Sequence, residues 1–223
     1  YKLVGGRRGA LIAGALGGLI SSTAATIGFS RRAGDRPGEI AAAALMIQVA
    51  SAVVFVRVTL EVAVVEPALL RAAAAPLAIV MGVMAATAAL GLRRLDSAPR
   101  APDQDQPPSD LKGALVFGGL YAAVLVAVAA AREQLGTAGL YAVAAVSGLT
   151  DVDAITLSTA QLVGAGELEA GQGWRLMLVG ALSNLVFKAG AVALLGPRAL
   201  LGRVALYFLP ALVAGLGLVV LWP

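Results

Sequence analysis

The chain contains no cysteine and no histidine. Without cysteine there is no disulfide and no thiolate metal site. Without histidine there is no imidazole ligand and no imidazole acid–base chemistry. Charge is also scarce. Asp, Glu, Lys and Arg together make up 13% of the residues, against about a quarter in a soluble domain. What fills the space is apolar: 59% of the 223 residues are hydrophobic, and the mean hydropathy is +0.87. That is the composition of a membrane protein, with the lipid bilayer as its solvent. The net charge of +4 reads as Lys and Arg in the loops between spans, so no nucleic-acid partner is expected. There is no GxSxG and no glycine-rich phosphate loop, so no enzymatic activity is expected. The chain opens at Tyr1 and shows no cleavable signal pattern. It is expected to be a fragment or a processed chain.

A spanning helix needs roughly 20 apolar residues. Seven segments qualify, at about 8–30, 38–65, 68–92, 112–131, 138–163, 174–195 and 199–222. The stretch "DSAPRAPDQDQPPSD", residues 96–110, is rich in Pro, Asp and Gln and reads as a polar connection. The expected organisation is a first membrane repeat over 1–95, a linker over 96–110, a connecting transmembrane helix over 111–132 and a second membrane repeat over 133–223.

The two halves resemble each other. "GLISSTAATI" (18–27) lies over "GLTDVDAITL" (148–157) with Gly18/Gly148, Leu19/Leu149, Ala24/Ala154 and Thr26/Thr156 coinciding. Further on, "VVFVR" ending at Arg57 lies over "NLVFK" ending at Lys188, one residue out of step with the first match. Each half thus reads as a Gly-polar break, a long helix carrying one cation, and a plain apolar helix. Charge tests the topology. If all seven segments span, the loop Lys and Arg divide almost evenly between the two sides. If 8–30 and 138–163 are hairpins of two half-helices, only Arg71, Arg132 and Arg175 fall on one side and all other loop cations on the opposite side. Membrane proteins show such a bias. The expected fold is therefore an all-α polytopic membrane protein of two inverted repeats, each with a helix break or re-entrant hairpin.

The breaks carry the chemistry. In "GGLISSTAAT", Gly17 and Gly18 loosen the helix and Ser21, Ser22 and Thr23 supply hydroxyls. The reading without function is small-residue helix packing. In "SGLTDVDAITLSTAQ", Asp151 and Asp153 stand inside an apolar run from Leu140 to Val163. Thr150 or Asp151 can cap a half-helix starting near Val152, which is the structural explanation for one acid. A second acid two residues on points to more, because intramembrane acids face a cavity or a partner. With the hydroxyls of Thr150, Thr156 and Ser158 they form an all-oxygen set. Such a set suits a hard cation, with Asp151 and Asp153 as metal ligands, or a carried proton. Asn184 and Lys188 are four apart on one helix face, and Lys188 is expected to pair with Asp151 or Asp153. Arg57 and Glu61 are also four apart, an internal pair at its simplest. Gln48 and Ser51 lie on the approach. Trp174 and Trp222 fall near segment ends, where interfacial Trp belongs.

These motifs, "GLISSTAATIGFSRRA", "SGLTDVDAITLS" and "LSNLVFKAG", resemble the bacterial MgtC/SapB-associated integral membrane family of unknown function. The resemblance covers nearly the whole chain outside the linker. It implies a multi-pass protein of the bacterial inner membrane that follows an MgtC-like domain on the full-length chain, with an indirect link to Mg²⁺ homeostasis. It assigns no functional residues. The function expected from the residues is transport or permeation of a small ion, first a divalent cation, with no resident cofactor. Asp151 and Asp153 would bind it, Ser21, Ser22, Thr23, Thr150 and Asn184 would add neutral oxygens, and Arg57 and Lys188 would be counter-charges. Two alternatives stand beside it. One is an anion transporter using Arg57, Lys188 and two half-helix N-termini. The other is a non-transporting regulatory module that forms a homodimer through its small-residue faces.

Overall fold

The structure is a computed structural model that describes residues 6–95 and 136–222. The expected linker at 96–110 and connecting helix at 111–132 lie outside the described residues. The elements are α1 (Gly6–Arg31), α2 (Pro37–Val65), α3 (Pro67–Arg93), α4 (Gly136–Thr150), α5 (Val152–Gly164), α6 (Ala170–Leu195) and α7 (Arg198–Leu221), with no strand among the described residues. Helix is what an apolar chain forms in lipid, because every backbone polar group must then be satisfied within its own segment. Five helices, α1, α2, α3, α6 and α7, are long and apolar enough to cross a membrane by length and composition, α1 only when it is counted across the break at Ser21. The protein is an all-α membrane protein. Its outward side chains fit that solvent: Leu206, Leu209, Val213, Leu216 and Val220 of α7 are all more than half exposed.

Local chemistry sets the ends. Pro37 and Pro67 open α2 and α3, where a missing N–H costs nothing and the fixed φ suits the first turn. The Glu66 carboxylate accepts from Ala68 N–H at 3.1 Å and caps α3. Past α5, Gly166 takes φ +74°, a conformation that favours glycine.

The chain forms two compact units. The first takes residues 6–54, 81–95 and 188–211, the second 55–80, 136–187 and 212–222. Each therefore holds one of the polar breaks and a part of α2, α3, α6 and α7.

In the first unit α1 is broken at Ser21, whose backbone is extended (φ −163°, ψ 106°). Ser21 Oγ accepts from Ala24 N–H at 3.2 Å and so caps the second half. The halves fold back on each other. A Cβ on Gly17 would lie 2.8 Å from the Ala25 Cβ, whereas eight residues of straight helix would separate them by about 12 Å. The hairpin packs on α2: a Cβ on Gly18 would stand 2.6 Å from the Ala50 carbonyl oxygen. Ala10, Ala42, Leu45, Met46 and Leu95 form the core there.

The second unit repeats the device. Asp151 is extended (φ −148°, ψ 113°) between α4 and α5, and its Oδ1 accepts from Asp153 N–H at 2.9 Å. A Cβ on Gly180 would lie 2.9 Å from Ile155 Cγ2 and 3.4 Å from the Ala144 carbonyl oxygen. Eleven residues of straight helix span about 16 Å, so α4 and α5 also form a hairpin. A Cβ on Gly148 would fall 2.1 Å from the Gly180 carbonyl oxygen. Ala144, Ile155 and Leu176 are the core.

The two constructions match at one offset of 130 residues. Gly18 meets Ala50 as Gly148 meets Gly180, Ser21 and Asp151 are the extended residues, and Met46 and Leu176 are core partners. The weak sequence match between the halves is a match of local structure. The segments at 8–30 and 138–163 are each two helices folded back at an extended residue, Ser21 and Asp151.

Candidate functional site

In the second unit, α2 carries Arg57 and the first turn of α5 carries Asp153. Their side chains form an ion pair and are 25% and 28% exposed. Arg57 stands eight residues before the end of α2 at Val65, which is about 12 Å along the helix. At its other end α5 closes beside the α2–α3 turn, where a Cβ on Gly164 would lie 2.6 Å from Glu66 Oε2. The hairpin tip therefore reaches about 12 Å past the end of α2 into the bundle.

The second unit holds further polar side chains. Asp151 is exposed and uses one oxygen to cap α5, so the structural reading of that acid holds for Oδ1. Asn184 on α6 is 4% exposed and donates from Nδ2 to the Gly148 carbonyl at 3.0 Å, steadying the last turn before the break. Glu61 lies one turn beyond Arg57, within electrostatic reach of Arg57 and Asp151. Its Oε2 is buried and has no hydrogen-bond partner among the described residues. Ser158 turns its hydroxyl onto the Ile155 carbonyl at 3.2 Å. The side chain of Thr150 lies outside the described residues.

The cation that meets Asp153 is Arg57, one of the two expected counter-charges. Arg57 thus reaches α5 for its ion pair and also acts electrostatically on Glu61 of its own helix. Asp151 turns one oxygen to the backbone and Asp153 faces Arg57. Among the described residues no three acidic side chains gather for a metal.

The first unit holds Ser21, Ser22, Thr23 and Lys188. Ser21 serves as the cap, Ser22 is buried and Lys188 is fully buried. A largely apolar groove of about 280 Å³ runs along this hairpin from Gly17 to Arg32, with Ser21 as its hydroxyl.

Thr156 emerges from the repeat. Its counterpart at the 130 offset is Thr26, and both are 0% exposed. Thr26 Oγ1 donates to the carbonyl four residues back, Ser22, at 2.8 Å. Thr156 Oγ1 has no partner among the described residues, although the carbonyl of Val152 stands in the same relation to it. The same residue in the same local fold is satisfied in one half and left open beside Asp153 in the other. Trp174 stands near the start of α6. It is 3% exposed, with the Arg175 guanidinium 4.6 Å over its ring. Arg175 donates to the Trp222 carbonyl at 2.6 Å and the Gly171 carbonyl at 2.7 Å, tying the end of α7 to the start of α6.

A family model described as "Domain of unknown function (DUF4010)" matches residues 1–196. An uncharacterized protein of Aquifex aeolicus (strain VF5) is 31% identical over 102 residues, 46% of this chain and 43% of that protein. The chain thus spans less than half the length of that relative. No solved structure matches.

Proposed function

The chain belongs to the DUF4010 family of unknown function, and from that premise and the geometry above we propose that it is an integral membrane transporter or channel-like permeator of a small cation. The observation that carries this reading is the Arg57–Asp153 ion pair at the tip of a helix hairpin. α2 is about 43 Å long at 1.5 Å per residue, some 13 Å more than the roughly 30 Å hydrocarbon core. If α2 is centred, Arg57 at about 12 Å from its end lies inside the hydrocarbon. A charge pair there is costly to build, and it serves as the resting state of a site whose ion competes with Arg57 for Asp153. Acids outnumber the single guanidinium, since Asp151 and Glu61 flank the pair. That balance favours a cation over an anion. The oxygen-only donors suit a hard ion, a Mg²⁺-like divalent first, with a proton carried by the second acid.

We further propose that the hairpins re-enter the membrane and that the halves are inverted repeats, supported by the charge distribution and the shared local construction. The proposed setting is the bacterial inner membrane, as a homodimer beside an MgtC-like domain on a longer chain. That placement, with its magnesium link, rests on the motif resemblance.

The test is flux into proteoliposomes for Mg²⁺, Mn²⁺, Na⁺, K⁺, chloride and phosphate, with and without a pH gradient. Cation flux should fall at least tenfold in Asp153→Asn and change its ion dependence in Arg57→Met. Anion flux that Lys188→Met abolishes would install the anion reading. No flux of any ion, with folded protein in the vesicles, would leave the regulatory module.

A further inference from the structure

In the first unit, α2 carries two polar side chains that no water can reach from outside: Gln48 and Ser51, both 0% exposed. Three apart on a helix, they share a face. The orientation of Gln48 is determined by its partners. Its Nε2 donates to the Met84 carbonyl at 3.0 Å and meets the Thr87 hydroxyl at 2.7 Å. A carbonyl only accepts, so the amide nitrogen must be the atom on that side. Gln48 Oε1 is thereby turned away, and it has no partner among the described residues. Nor has Ser51 Oγ. A helical serine can satisfy itself on the carbonyl four residues back, as Thr59 does on Phe55 in the same helix at 2.7 Å, and Ser51 does not.

Packing does not require these side chains. At the 130 offset their places are taken by Leu178 and Ala181, which are 0% and 2% exposed. The same position in the same local fold is filled by hydrocarbon in the other half. Two buried oxygens without a partner among the described residues are retained here against a standing cost. The tip of the α1 hairpin is adjacent, since a Cβ on Gly18 would lie 2.8 Å from Ala50 Cα, and a helix break releases carbonyls that can complete a ligand set.

We propose that Gln48 Oε1 and Ser51 Oγ are ligands of a second site, which binds a small dehydrated monovalent cation, Na⁺ first. Neutral oxygens suit a hard cation. With no carboxylate among the ligands, they suit a single charge over a double one. The site is separate from the Arg57–Asp153 pair and does not depend on that pair's role.

Thermal unfolding of the purified chain in detergent tests it, in NaCl, KCl and choline chloride at equal ionic strength. Bound cation stabilises the folded state by mass action, so Tm should rise by several degrees in NaCl over choline chloride. Ser51→Ala and Gln48→Leu should each abolish that rise, and Gly190→Ala, with open space at its Cβ, should keep it. Both site variants lose an unsatisfied group, so Ser51→Ala in particular should melt in choline chloride no lower than wild type. A rise in KCl as large as in NaCl keeps the site and widens it to both ions. Equal Tm in all three salts, or an undiminished NaCl rise in both site variants, overturns the proposal and leaves a buried water as the partner of these oxygens.

Discussion

Thr26→Val and Thr156→Val should have opposite effects on stability, although they exchange the same residue at the same place in two copies of one local fold. Valine keeps the shape of threonine and removes the hydroxyl. At position 26 the lost group donates to the Ser22 carbonyl at 2.8 Å. A typical intramolecular hydrogen bond contributes about 0.5–1.5 kcal/mol, so this variant should be destabilised by about 1 kcal/mol. At position 156 the lost group is fully buried with no partner among the described residues. An unmade buried hydrogen bond costs about 1–3 kcal/mol, and removing the hydroxyl removes that cost. For a chain of this size 1 kcal/mol moves Tm by about 2–4 °C. Thermal unfolding in one detergent should therefore show Thr26→Val a few degrees below wild type and Thr156→Val level with it or a few degrees above. If Thr156→Val melts as low as Thr26→Val, its hydroxyl has a structural partner and the contrast between the halves is void. The functional corollary separates stability from activity: Thr156→Val should slow cation flux in proteoliposomes while melting no lower.

The close approaches of the hairpins give a second contrast. Gly148→Ala would push a Cβ to within 2.1 Å of the Gly180 carbonyl oxygen and should cost several kcal/mol or prevent folding, as read by detergent-stable yield, whereas Gly190→Ala, with open space at its Cβ, should be neutral or stabilising by up to about 1 kcal/mol. Asp153→Asn and Arg57→Met should each destabilise by about 1–3 kcal/mol, less than the ~3–5 of a fully buried pair because both side chains are about a quarter exposed. The double variant should cost less than the sum of the singles in a double-mutant cycle, and strict additivity would mean that the pair contributes nothing. Arg175→Lys keeps the charge but loses the planar fork that reaches the Gly171 and Trp222 carbonyls together. It should lower Tm by a few degrees and loosen the end of α7, visible as faster hydrogen exchange near Val219.

Much of this architecture could be read from the residues alone. Composition determined the solvent, and with the solvent the helices, because an apolar chain in lipid can hide its backbone in no other way short of a closed barrel. The breaks at Ser21 and Asp151 were legible because hydroxyl and carboxylate beside glycine compete with the helix ladder for backbone N–H groups. The likeness of the two breaks in local structure was legible only faintly, since Gly, Ala and Leu match by chance in such a chain. What tertiary structure decided is who meets whom. Sequence spacing ties Arg57 to Glu61 and groups Asn184 with Lys188, because neighbours along one helix are all that a periodicity can see. Asp153, 96 residues away in the chain, reaches Arg57 only because α4 and α5 fold back at Asp151 and carry the first turn of α5 alongside α2. The open hydroxyl of Thr156 was equally invisible, for Thr26 and Thr156 are identical letters in aligned motifs. Whether such a hydroxyl bonds to its own helix or turns away depends on its rotamer, and the rotamer is set by side chains packed from other helices.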